Sequence, residues 1–290
     1  MRAYVLAAAA IAGPGLLAGC RGAAPQNEAA APAAKSALVA QARDALKRAE
    51  TAPLPTPFPL PSPLPRGWKP PPAPEMKPEE IEAIRLLEQA TAAQPRQREA
   101  QELLARVLEP WALRQHERAV AARGMKSPPP APPDQGVDVS PARAARAYRA
   151  AVEADPGTID LISPLLAFAS RVDDLDTMDW AHQELIRRAR EKDTVTPQVQ
   201  YADFLRDRRR DVLAAAEQYR GALIWAPQDA AIRAKVADIY LGLAKDHYAR
   251  HEYAGAQVRL GEAAKFVGDP ASPQGKMLAD YQQRLSTIRR

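Results

Sequence analysis

Chemistry in this 290-residue chain would have to come from few side chains: a single cysteine, Cys20, and four histidines. One thiol excludes a disulfide framework or a cysteine-cluster metal site within the chain. His116 and His182 each stand alone in charged stretches with a helical pattern and read as solvated surface. His247 and His251 are spaced to share one side of a helix, beside Asp246 and Glu252. Two imidazoles could hold zinc or copper weakly, but a closed site needs further ligands. Asp173 and Asp174 fall in an expected turn, where a carboxylate ordinarily caps the next helix. Arg206, Arg208, Arg209 and Arg210 could meet phosphate head groups, yet Asp207 and Asp211 interleave with them and favour a self-neutralised, solvated turn. The serine nucleophile elbow, the glycine-rich phosphate loops and the His-Glu-x-x-His zinc motif do not occur. No catalytic residue, metal site or soluble cofactor is therefore expected. With 40 basic against 35 acidic residues the formal charge is only +5, too mild a bias for nucleic-acid binding.

Cys20 has an informative setting. Residues 1–20 read MRAYVLAAAAIAGPGLLAGC: one positive residue, then an apolar run interrupted by Gly13-Pro14-Gly15 and ending in Leu17-Ala18-Gly19-Cys20. The run is too short and too broken for a stable membrane-spanning helix. The ending closely resembles a bacterial lipobox, in which a branched residue and two small residues precede the cysteine that is acylated and becomes the new N-terminus. An ordinary secretory peptide with a chance cysteine is the alternative. The resemblance implies a leader at 1–19, a covalent lipid at Cys20 and a membrane anchor that two or three acyl chains would make effectively permanent. Arg21 after the cysteine, where an aspartate would signal retention, implies the outer membrane of a two-membrane envelope, facing the periplasm.

The elements that would carry any site are helical. Hydrophobic content is 46 %, rich in alanine, and aromatics are only 6 %, a composition that favours helix over sheet. Residues 20–35 are small and polar and read as a flexible tether. A helix is expected over 36–52, with Leu38, Ala42, Ala45, Leu46 and Ala49 on one face. Twelve prolines between Pro53 and Pro78 leave polyproline II as the only regular conformation; fully extended, the segment 53–78 would reach roughly 70–80 Å. Leu54, Phe58, Leu60, Leu64 and Trp68 interrupt this tract and could dock into a groove of a partner or of the protein itself, or belong to a plain linker. Lys77-Pro78-Glu79-Glu80 starts a helical region over 79–126, with a long second helix from Arg96 to Arg123 that passes Pro110. A second proline-rich loop spans 127–139, and Ser140-Pro141 opens the next helix. Trp111, Trp180 and Trp225 fall on helical faces expected to be core.

Four segments repeat one pattern. Ala83, Leu87 and Ala90 before Pro95, Ala144, Tyr148 and Ala151 before Pro156, and Ala215, Tyr219 and Ala222 before Pro227 share one spacing. Ala256, Leu260 and Ala263 keep it with a later proline, Pro270. This resembles the second helix of the tetratricopeptide repeat, where alanines let paired helices approach, the large residue fills the gap to the next repeat and proline ends the helix. Val236, Ala237 and Tyr240 resemble a first-helix core. Tyr201 to Leu205 fits more loosely, with an extra residue in the Arg208–Arg210 turn. The resemblance covers 140–271 best, with 272–290 as the capping helix that a solenoid needs. It extends weakly to 36–95, and in the N-terminal half the two proline tracts would fall between the helices of a hairpin. The fold class is therefore all-α, a tetratricopeptide-like solenoid of helical hairpins with proline-rich N-terminal segments.

In that family the first helices line a concave surface that binds extended or helical peptides. Its groove positions carry over to Asp160, Ser163, Ala167 and Ser170, to Gln200, Phe204 and Asp207, and to Ala231, Ala234, Asp238 and Leu241. Small residues alternate with acids there, and Phe204 would be the one large anchor. The combined expectation is a lipid-anchored envelope adaptor that binds proteins and is not an enzyme; relatives by resemblance assist outer-membrane, pilus, secretin or polysaccharide-export assembly. A helical enzyme acting on peptidoglycan and a structural spacer are the alternatives from other classes. Metabolic labelling with a fatty acid is expected to mark the wild-type chain and not Cys20→Ser; label that persists in the variant would refute anchoring at this thiol.

Overall fold

A computed structural model describes residues 30–53, 76–123, 125 and 136–288. Cys20 and the tract residues Leu54, Phe58, Leu60, Leu64 and Trp68 lie outside the described residues. Among the described residues every regular element is helical: α1 Ala30–Thr51, α2 Pro78–Ala93, α3 Arg98–Ala122, α4 Pro141–Ala154, α5 Ile162–Arg171, α6 Leu175–Arg188, α7 Val195–Phe204, α8 Val212–Trp225, α9 Ala230–Ala249, α10 Tyr253–Ala264 and α11 Pro273–Ile288. Helix α1 begins at Ala30, earlier than the expected Ser36, because an alanine run followed by Pro32 in the first turn is compatible with helix. Helix α3 runs through Pro110 to Ala122.

The helices pair as α1–α2, α3–α4, α5–α6, α7–α8 and α9–α10, each hairpin packs on the next, and α11 closes the end on α9 and α10. This is an all-α, tetratricopeptide-like solenoid. Both proline-rich connections lie inside hairpins, 52–77 between α1 and α2 and 123–140 between α3 and α4. The repeated triplets sit on the second helices α2, α4, α8 and α10, and all twelve residues are buried to 2 % exposure or less. An alanine Cβ at a helix crossing lets the backbones approach closely, and the larger Leu87, Tyr148, Tyr219 and Leu260 fill the space between successive hairpins. The core consists of two clusters, one from Val39 to Ala181 and one from Ala169 to Leu285, which meet within α5 and α6.

Local chemistry sets the ends. Ser140, Asp174, Asp211 and Asp229 accept from the first free N–H groups of α4, α6, α8 and α9. In the last three hairpins the turn between the helices passes through one left-handed residue, Asp173 (φ 57°), Arg210 (φ 61°) or His251 (φ 61°). The turns after α5 and α9 close through Asp174 N–H to Ala169 O and Glu252 N–H to His247 O, both 2.9 Å. The turn after α7 is one residue wider: a π-turn, Leu205–Arg209, absorbs the extra arginine, and Asp211 N–H reaches Leu205 O at 2.9 Å. His251 thus lies beyond the end of α9, so the expected helical pairing of His247 with His251 does not form. Instead His247 Nδ1 meets Glu252 Oε2 at 2.6 Å and His251 Nδ1 meets the Tyr253 hydroxyl at 2.8 Å.

Two partly buried cations cap helix C-termini from a distance. The Lys77 ammonium, at the far end of the 52–77 connection, donates to Ala49 O and to Ala52 O (2.7 Å). The Arg188 guanidinium, 5 % exposed, donates to Val152 O (2.9 Å), Asp155 O (2.9 Å) and Thr158 O (2.7 Å) at the end of α4, and pairs with Glu184 (2.9 Å). The charge is buried, but every side of it faces an acceptor, and the negative end of α4 stabilises it. Arg188→Met keeps the apolar stem and strands those carbonyls, and is expected to lower stability by about 3 kcal/mol, measured as the shift in urea midpoint of the purified protein.

Candidate functional site

The residues expected in a groove separate into two groups. Asp160, in the turn before α5, together with Ser163, Ala167 and Ser170 on α5, is exposed; so are Gln200 on α7, Asp207 in the π-turn, and Ala231 and Asp238 on α9, while Ala234 is half-buried. Phe204 and Leu241 are 5 % and 1 % exposed. They belong to the core of the last hairpins, so the expected aromatic anchor is not available to a ligand. Phe204 lies at the end of α7, where its ring packs on Tyr201 (6.3 Å) and His182 (5.2 Å). Asp238 accepts from Gln274 Nε2 at 3.0 Å, which brings the start of α11 over α9. A cleft of about 380 Å³ opens beside it, lined by Ala230, Arg233, Ala234, Ala237, Phe266 and Gln274 among others.

What sequence reasoning missed is a polar tie that recurs between hairpins. The Tyr148 hydroxyl of α4 donates to Glu109 of α3 (2.5 Å), and Arg171 at the end of α5 stands 3.9 Å from the same carboxylate. Two hairpins on, the Tyr219 hydroxyl of α8 donates to Asp203 of α7, and Lys235 of α9 donates to both oxygens of that carboxylate (2.8 and 2.9 Å). Arg206 adds a contact of 3.2 Å to Asp203 and another of 3.2 Å to the Tyr219 hydroxyl. In each case a second-helix tyrosine binds a first-helix acid, and a cation from the next first helix binds the acid from the other side. Burial, reinforced by the neighbouring carboxylate, pushes both phenols well above the ordinary tyrosine range, so they stay protonated and donate to the acids. The signal was legible in part: a buried tyrosine needs a hydroxyl partner, but the acids lie 39 and 16 residues away in sequence.

The arginine turn is self-neutralised. Arg206 pairs with Asp207 (2.7 Å), Arg209 with Asp176 (2.6 Å) and Arg208 with Asp173. The hydrogen bond from Arg206 holds the Asp207 carboxyl below its usual range. His182, expected on the surface, is buried at 8 % exposure. Trp225, expected in the core, is 46 % exposed beside Ile224 at 74 %, because both stand on the outer face of the last turn of α8. Trp111 and Trp180 are half-buried, each under an arginine, Arg114 at 4.6 Å and Arg149 at 5.2 Å.

No family model and no curated protein matches the chain. Among solved structures it is similar to MamA, at 14 % identity over 72 % of this chain and 92 % of that one, with a TM-score of 0.32. It is also similar to PilF of Pseudomonas aeruginosa, at 13 % identity over 89 % and 93 % of the two chains, with a TM-score of 0.31. A monomeric mutant of IFIT1 with Gppp-AAAA shares 17 % identity over 73 % of this chain but only 44 % of its own length, with a TM-score of 0.37. Likenesses this distant say nothing of what the chain binds.

The tyrosine ties make a graded expectation. Tyr219→Phe removes one donor from an acid that keeps its cations and is expected to cost about 1 kcal/mol. Asp203→Ala strands the hydroxyl and both cations and is expected to cost about 2–3 kcal/mol. Urea unfolding at unchanged m-value reads both; equal effects of the two variants would show that the acid is not the hub.

Proposed function

We propose that this chain is a non-enzymatic protein-interaction scaffold, held to a membrane by a lipid on Cys20, whose solenoid presents first-helix positions to a partner segment. The observation that carries this reading is the run of small or polar exposed residues on consecutive first helices: Ser163, Ala167 and Ser170, then Gln200, then Ala231 and Asp238. The core behind them is closed and the arginine cluster is internally paired. The surface thus lacks a large anchor and a strong charge, which suits backbone-dominated capture of an extended or helical peptide. The leader-like start and Cys20 support an envelope location, facing the periplasm from the outer membrane, and a part in assembling outer-membrane, pilus, secretion or polysaccharide-export machinery. The proline tract with Leu54, Phe58, Leu60, Leu64 and Trp68 is a second candidate contact for the same partners.

Photo-crosslinking amino acids placed in cells at Ser163, Gln200 and Ala231 are expected to trap a partner protein, and those at Ile224 and Val258 are not. Ser170→Arg and Asp238→Lys, each folded by circular dichroism, should lower the yield at least several-fold. Crosslinks from Ile224 and Val258 alone would move the binding surface to the other face of the solenoid.

A further inference from the structure

His182 occupies the position that carries the tie in the neighbouring hairpins. Counting eight residues from the N-caps Ser140, Asp174, Asp211 and Glu252 reaches Tyr148, His182, Tyr219 and Leu260 in turn. Tyr148 and Tyr219 find a first-helix carboxylate. His182 does not: α5 contains no acid, and the buried Nδ1 of the imidazole has no hydrogen-bond partner. The ring lies across the joint to the next hairpin, 5.6 Å from Tyr201 and 5.2 Å from Phe204 of α7. The two core clusters meet one layer earlier, within α5 and α6 themselves.

We propose that the joint between the third and fourth hairpins is an acid-sensitive hinge, which opens when the His182 imidazole takes up a proton and leaves its aromatic stack. The charged groups around the ring do not offset that charge. Asp179, one turn earlier on α6, already accepts from the Tyr201 hydroxyl (2.7 Å) and from Gln183 (3.2 Å). Asp203 of α7 is bound by Lys235 and Tyr219, and Arg209 beyond it pairs with Asp176. Helix α5 brings no charged residue before Arg171. An imidazolium in the stack would therefore be desolvated with one distracted carboxylate in reach, whereas in the opened joint it meets water. Burial holds the His182 pKa down at about 4 in the closed form, with Asp179 opposing the shift. Because the closed-form value is depressed below the solvated value of about 6.5, the closed joint keeps its full stability above that pH and loses it as pH falls through the window down to about 4.

Hydrogen exchange of the purified protein at pH 7 and pH 4.5, corrected for the intrinsic pH dependence of exchange, tests this. The opening equilibrium of α6 and α7 is expected to rise on the order of fiftyfold at pH 4.5, with α2 and α10 unchanged. In His182→Leu, which installs the residue type that α10 carries at this position, the rise should vanish. A rise that persists in His182→Leu, or one shared equally by α2 and α10, overturns the hinge. Carbon-detected titration of the wild-type imidazole guards against a misfolded variant: a pKa near 6.5 in the folded protein overturns the proposal, and a value depressed by two units or more supports it.

Discussion

Everything in this solenoid depends on how closely the second helices approach their neighbours. A chain of hairpins has no central core; each hairpin can bury apolar surface only against the ones before and after it. The alanines at Ala83, Ala90, Ala144, Ala151, Ala215, Ala222, Ala256 and Ala263 allow that approach, and each is 1 % exposed or less. A larger side chain at any of them would separate the backbones and open the layer on both sides, since interiors at native density accept added volume poorly. The one large residue per second helix then spans the gap that the alanines leave.

The polar groups follow the same nearest-neighbour logic. Arg188 joins the end of α4 to α6, Arg171 and Lys235 reach back to acids of the preceding hairpin, and Gln274 reaches back to Asp238. Each tie spans one interface, so each interface has a chemical identity of its own. The second has a Tyr–Glu–Arg set, the fourth a Tyr–Asp–Lys set, and the third an unpartnered buried imidazole beside a Tyr201–Asp179 tie and an Arg209–Asp176 pair. Stability therefore varies from joint to joint in a way that the apolar pattern alone, almost the same throughout, does not reveal.

That division also marks what could be read from the residues alone. Class, hairpin boundaries and the buried triplets were legible because alanine spacing and helix-ending prolines are local signals, and the placement of both proline tracts inside hairpins followed from them. The turn after α7 was flagged by its surplus arginine, although a π-turn is visible only once the backbone is. The environments of Phe204, Leu241 and His182 were not legible. Family positions assume that one helix face stays open along its whole length, yet Phe204 and Leu241, one turn beyond the exposed Gln200 and Asp238, are buried. His182 sits among charged neighbours in sequence, Asp179 and Glu184, whose hydrogen bonds go to Tyr201, Gln183, Arg187 and Arg188 instead. The tyrosine ties were hidden for another reason: their acids come from other helices, one of them across the 123–140 connection.

The unequal length of the links within hairpins gives the chain a direction. The last three hairpins turn over 172–174, 205–211 and 250–252, whereas the first two close over 52–77 and 123–140. Lengthening a connection nearly tenfold costs about 2 kcal/mol in closure entropy, and the Lys77 cap on α1 returns only part of that. The C-terminal hairpins are thus the inexpensive ones to form, and the N-terminal hairpins add onto a surface already laid down. Because a ribosome delivers the chain from the other end, α1 and α2 emerge well before the layers against which they pack. By closure cost alone, the favoured order of hairpin formation runs against the order of synthesis.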